Sequence, residues 1–219
     1  MLAAAVAGSA APVRAGGGIQ QGGGLGGSST FVNTVTYAAY RAARVSHATT
    51  ADDTTALASL PNTANNPVNN TANVQLRTAN IRALGLSGGS VAMDSTITLN
   101  TSICNLNRLS IDSNKYDLLA VCAHEIDEAL AFGSALNNLN NGDPAPATIE
   151  TDDLFRYDQN GNRSYDTNLS TQAYFSIDGG ATKLARFNQS QSEQAATSWV
   201  DPLTGLLADE LVTSLVERV

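Results

Sequence analysis

Tyr116-Asp117-Leu118-Leu119-Ala120-Val121-Cys122-Ala123-His124-Glu125-Ile126-Asp127-Glu128-Ala129-Leu130 decides how this chain folds and where its chemistry lies. Leu119, Ala123, Ile126 and Leu130 recur at helical spacing and form one apolar face. Asp117, Val121, His124 and Glu128 share the other. The pattern predicts a helix from about Ser113 or Asn114 to Phe132, with Gly133 as its stop. Residues 118–121 are apolar all round, which predicts a helix buried on both sides. A buried carboxylate without a partner is very costly. Burying His124, Glu125, Asp127 and Glu128 together therefore calls for a cavity or a cation. Side chains at i and i+4 lie one above the other on a helix. His124 and Glu128 can thus grip one metal ion from the same face. Glu125 points beside that ion, where a general base for a bound water stands. The zinc-protease motif proper is His-Glu-x-x-His; here Glu128 takes the place of the second His.

Composition narrows the function classes. The 219 residues suffice for one large domain or two small ones, and 42% of them are apolar. Aromatics are only 5%, so the expected core is lightly built. The net charge of -8 argues against nucleic-acid binding, which needs a basic patch. No apolar run approaches the roughly 20 residues that cross a bilayer. The Ala-rich start, with Gly8-Ser9-Ala10-Ala11, resembles the tail of a secretory signal without its basic region. With only Lys115 and Lys183 as lysines, this favours a secreted or cell-envelope protein. Cys104 and Cys122 are too few for a disulfide framework. They are either one bridge or two buried thiols, since a free Cys behaves as a small hydrophobe.

Around the central helix the chain alternates short elements. Residues 1–30, with two Gly-Gly-Gly runs, have too little to bury and are expected to be disordered. A single domain is expected over 31–219, beginning near Phe31. Residues 34–49 read as a helix capped by Thr34, and Thr50-Ala51-Asp52-Asp53 opens a second one to about Leu60. Residues 61–73 read as a loop, and 74–84 as a strand entering a helix that ends at Gly85. Residues 91–99 read as a strand. After the central helix come a loop over 137–147, a turn at 158–162, and a hairpin of strands 173–177 and 182–187 around Asp178-Gly179-Gly180. Residues 203–219 have the pattern of an amphipathic helix, with Leu206, Leu207, Leu211 and Leu215 on one side. Intermixed helices and strands joined by short turns predict an α+β domain with a small, mostly antiparallel or mixed sheet.

Between about residues 31 and 188 several distinctive stretches follow one another. They are Leu99-Asn100-Thr101-Ser102, Tyr116-Asp117-Leu118, Ala123-His124-Glu125-Ile126-Asp127-Glu128-Ala129-Leu130, Asp153-Leu154-Phe155-Arg156-Tyr157 and Ala173-Tyr174-Phe175-Ser176-Ile177-Asp178-Gly179-Gly180. In this combination the chain resembles a family of bacterial, usually exported, metzincin-like metalloproteases with a His-Glu-Ile-Asp/Ser-Glu motif. After residue 199 the likeness ends. The resemblance implies a metzincin-like zinc-protease scaffold, with the motif helix buried below a substrate cleft. It implies that His124 and Glu128 are zinc ligands and that Glu125 is the catalytic base. It makes 91–99 an edge strand that receives an extended peptide or protein substrate. The third ligand stays open between Ser134, ten residues after His124, and Asp153 or Asp152. No Met follows Glu128, so no methionine turn lies under the metal. The alternative is a non-catalytic relative with an extracellular binding or structural role. Oligomeric state is left open.

Two weaker patterns have plainer explanations. His47 suits a helix C-terminus, where the dipole favours it. Asp158, Asn160, Asn162 and Asp166 alternate like calcium ligands, but Gly161 stands at the fourth position and no acidic twelfth residue follows, so a turn is expected.

Overall fold

A computed structural model describes residues 13–16, 26–89, 91–107, 109–136, 144–168 and 170–187. It is an α+β arrangement built on one long strand. Strand β1 (Val13–Gly16) runs antiparallel to β2 (Gly26–Thr36), pairing Val13 with Val32 and Gly16 with Ser29. Strand β3 (Asn73–Arg77) pairs antiparallel with the far half of β2, Val32 opposite Arg77. Strand β4 (Ser95–Leu99) pairs with the near half, Gly26 opposite Leu99. Val32 is shared by β1 and β3, and Ser29 and Thr30 by β1 and β4. One strand has two edges, so β3 and β4 lie in line along one edge of β2 and β1 along the other.

The expected start of order near Phe31 is corrected: β1 lies at Val13–Gly16 and β2 begins at Gly26, both within the stretch 1–30. Backbone ladder bonds need no side chains, so glycine does not forbid a strand where a neighbour must approach closely. The expected disorder of 1–12 and 17–25, the greater part of the 137–147 loop, and the amphipathic pattern at 203–219 lie outside the described residues.

Helix α1 (Tyr37–His47) follows β2 directly. Its cap is Thr36, whose hydroxyl accepts from the Ala39 amide at 3.2 Å, while the expected cap Thr34 belongs to β2. Helix α2 (Ala51–Ser59) has the expected start, with Thr50 and Asp53 forming a reciprocal capping box. Helix α3 (Thr78–Ala83) continues β3, and Gly85 follows at φ 62°. Tyr37, Tyr40, Ala56, Leu60, Val74, Leu76 and Ile81 form the core, joined by Ile149, Leu154 and Phe155. Val35, Val74 and Leu76 alternate onto this side of the sheet, whereas Ser28, Thr30 and Arg77 point to the other.

Two smaller sheets complete the fold. Strands β5 (Cys104–Asn105) and β6 (Tyr116–Asp117) pair in parallel and lead into α4 (Leu118–Ala129). Strands β7 (Arg156–Tyr157), β8 (Tyr174–Phe175) and β9 (Ala185–Arg186) form an antiparallel meander. The turn between β8 and β9 needs glycine at 180: φ is 93°, and a Cβ would stand 2.6 Å from the Gly161 carbonyl oxygen. Asp158 accepts from the amides of Asn160 and Asn162, both at 2.9 Å, which makes that segment a turn. Both cysteines are free thiols, Cys104 buried and Cys122 half-buried. Among the described residues, no helix is long and apolar enough to cross a membrane.

Candidate functional site

The motif helix is shorter than its hydrophobic pattern suggests. Residues 116–117 are drawn into β6, so α4 starts at Leu118, and the Asp117 carboxylate accepts from the Leu119 amide at 3.1 Å. At the other end the Phe132 amide bonds the Asp127 carbonyl at 2.9 Å, and the Ala131 amide bonds that of Glu128 at 3.2 Å. This pair of bonds is a Schellman closure, and it puts Ala131, not the expected Gly133, in the left-handed conformation at φ 74°.

The helix is also turned over. Val121, Glu125 and Glu128 share the face that meets the sheet, and Glu125 is only 4% exposed. Leu119, Ile126 and Leu130 lie opposite, at 56%, 42% and 42% exposure. The expected burial on both sides is thereby corrected. Side chains are placed by what faces them, and the face of β2 above α4 is polar and small.

That face builds the site. Gly26, Ser28 and Thr30 alternate along β2 towards α4. A Cβ on Gly26 would stand 2.7 Å from Glu125 Oε1, so the absent side chain makes room for this carboxylate. Ser28 donates its hydroxyl to Glu128 Oε2 in a short hydrogen bond. Glu128 Oε1 turns the other way, 3.6 Å from His124 Nε2. Thr30 accepts from Arg77 Nη1 at 2.7 Å, and Arg77 Nη2 pairs with Glu150 at 3.2 Å. Burial pushes the Glu150 carboxyl up, Arg77 opposes the shift, and the charge of Glu128 adds to it.

The His124–Glu128 spacing suits a shared cation. Zn–N and Zn–O bonds of about 2.0–2.2 Å at a tetrahedral angle put two ligand atoms about 3.4 Å apart. A catalytic zinc also wants a third protein ligand. Among the described residues no group of three or more His, Cys, Asp or Glu is gathered in a metal-holding arrangement. The three candidates for that role are engaged elsewhere. Ser134 donates to Asp153 Oδ1, and Asp153 Oδ2 accepts from the amides of Ala135 at 3.1 Å and Glu150 at 2.8 Å. Asp152 accepts from the Gly133 amide at 2.9 Å. Burial raises both carboxyls, Asp152 well above the ordinary aspartate range and Asp153 to about 6, with the donors to each holding it lower. Asp153 is completely buried and clamps the chain after α4 to the segment beside β3.

His124, Glu125 and Glu128 are thus brought together under β2. Gly26, Ser28, Thr30, Arg77 and Glu150 join them without any sequence signal: the first two read as low complexity, and the others lie far off in the chain. His47 caps its own helix, its Nδ1 lying 2.9 Å from the Ala43 carbonyl oxygen. Comparison with family models, with curated proteins and with solved structures finds no match to this chain.

Proposed function

We propose that this chain is an exported, metzincin-like zinc metallopeptidase in which His124 and Glu128 hold the metal and Glu125 is the general base. The observation that carries this is the 3.6 Å separation of His124 Nε2 and Glu128 Oε1 on a helix face turned beneath a strand. Bound zinc supplies a Lewis acid and lowers the pKa of its water to about 7. The Ser28 hydroxyl occupies Glu128 Oε2 and so leaves Oε1 on the side of His124. Glu125 takes the proton of the attacking water and passes it to the leaving amine. Among the described residues β4 pairs only with β2, so its outer edge can receive an extended peptide through main-chain hydrogen bonds.

The test combines metal analysis of the purified protein with proteolysis of casein. His124→Ala should lose the metal; an unchanged stoichiometry refutes the ligand assignment. Glu125→Gln should keep the metal and lose on the order of 10²–10⁴-fold in rate. A non-catalytic binding protein on the same scaffold is the alternative. It is favoured by the engagement of Ser134, Asp152 and Asp153 in hydrogen bonds of their own. Metal bound at His124 with no proteolysis would decide for it.

A further inference from the structure

The outer face of α4 is apolar along its length. Leu119, Ile126 and Leu130 stand on it at 56%, 42% and 42% exposure. Cys122 and Ala123 fall between them at helical spacing and are half-buried. The acidic residues of the helix lie elsewhere: Glu125 and Glu128 turn to the sheet, and Asp127 is buried. The loop between β5 and β6 and the start of β6 add Leu109, Ile111 and Tyr116, at 97%, 73% and 48% exposure. These six large side chains leave on the order of 600 Å² of apolar surface in water, as much as the largest patch on an ordinary monomer.

We propose that a second copy of this chain covers that surface, with α4 packed on α4 across a twofold axis. A stable interface hides about 800 Å² on each partner, and between identical chains about 65% of that is apolar. The patch is large enough to meet that need. A twofold axis draws both halves of the interface from one face, so no second apolar surface is required. With the helices antiparallel, Leu119 of one copy meets Leu130 of the other, and the small Cys122 and Ala123 make room for Ile126. The chain has a net charge of -8, yet none of it stands on this stripe. An uncharged face offers nothing to a charged partner and matches an equally uncharged copy of itself. The proposal does not depend on metal binding or catalysis, which belong to the opposite face of the helix.

Sedimentation of the full chain tests it, with hydrogen exchange at residues 74–81 to report on the core. The parent should be a dimer at about 10 μM, with a dissociation constant of about 1 μM or below. Ile126→Asp with Leu130→Asp should raise that constant by about 100-fold or more, because an apolar seam does not solvate a carboxylate, while the core stays protected. Leu119→Asp, at the most exposed position of the stripe, should act in the same direction, and it decides alone if the first pair unfolds the core. Cys122 reports the place of the seam without any substitution. Cys104 is buried, so alkylation reads Cys122, and it should slow as the protein concentration rises through the dissociation constant. A parent that is monomeric at about 100 μM overturns the proposal and gives this face to another part of the chain or to a bilayer. So does a dimer that persists in both variants, or one in which Cys122 is alkylated equally fast at every concentration.

Discussion

The two faces of the central sheet are stabilised by different physics. On one, Val35, Val74 and Leu76 meet Tyr37, Tyr40 and Ile81 in a dry cluster. Apolar burial is non-directional, so size and fit are all that this face demands. On the other, Gly26, Ser28, Thr30 and Arg77 meet Glu125, Glu128 and Glu150. Buried polar groups must be matched donor to acceptor, so this face demands particular atoms at particular places. The apolar face tolerates substitution by volume. The polar face tolerates almost none by volume, because Ser28, Thr30, Arg77, Glu128 and Glu150 each answer particular atoms.

Five measurements probe that difference, in order of expected effect. Leu76→Ala opens a cavity in the apolar cluster and should cost about 4 kcal/mol in urea unfolding. A cost under about 1 kcal/mol would mean that the cluster collapses freely around the gap. Asp153→Ala strands the Ser134 hydroxyl and the amides of Ala135 and Glu150. It should cost about 3 kcal/mol at pH 7, with the lost protection found in the exchange of 133–136 and 149–150. Gly26→Ala pushes a methyl group against the buried carboxylate of Glu125. About 2 kcal/mol is expected. Gly27→Ala, where a Cβ meets nothing within 4 Å, is the neutral control, and equal losses would contradict the close approach.

The fourth measurement is a pH series. Burial raises the Asp153 carboxyl above the ordinary aspartate range to about 6. A raised carboxyl binds its proton more tightly when folded. Its stabilisation is therefore complete below the unfolded pKa and is lost as pH rises through the folded one. Going from pH 7 to pH 5 should thus add about 1 kcal/mol from Asp153 alone. Asp152 and Glu150 are shifted in the same direction. Asp153→Asn should flatten the thermal midpoint against pH over this window, and an unchanged slope would assign it to other groups. The smallest effect is a gain. Ala131 sits at φ 74°, where glycine is at ease. Ala131→Gly should stabilise by about 1 kcal/mol, seen as a higher midpoint in thermal unfolding.

The helices and hairpins were the most legible parts. Thr50-Ala51-Asp52-Asp53 announces a helix start, and the structure has it, with a capping box between Thr50 and Asp53. The strand entering a helix at 74–84 and the hairpin of β8 and β9 around Asp178-Gly179-Gly180 were readable for the same reason, since turn chemistry is local. The ends of α4 were not. Its start is set by the pairing of β6 with a strand twelve residues earlier, and its stop by a closure that uses alanine where glycine is usual. At the site, His124, Glu125 and Glu128 were visible as a motif, and their i,i+4 geometry is as the spacing requires. Ser28 and Arg77 were not visible, because nothing local marks a serine in a glycine-rich stretch as the partner of a glutamate 100 residues away.

The sequence alone determined the helix start at Thr50, the turns at Asp158 and Asp178, and the one place where a histidine and two glutamates share a helix. These are properties of neighbours within a few residues, where backbone geometry fixes what can meet. Only the tertiary structure decided which face of that helix looks inward. The apolar pattern pointed one way, and the leucines would have been buried had β2 offered them an apolar surface. It offers Gly26, Ser28 and Thr30 instead, so the carboxylates turn in and Leu119, Ile126 and Leu130 turn out. An amphipathic helix carries two faces in its sequence. The free energy of burial depends on the surface that each one meets, and that surface is assembled from distant parts of the chain.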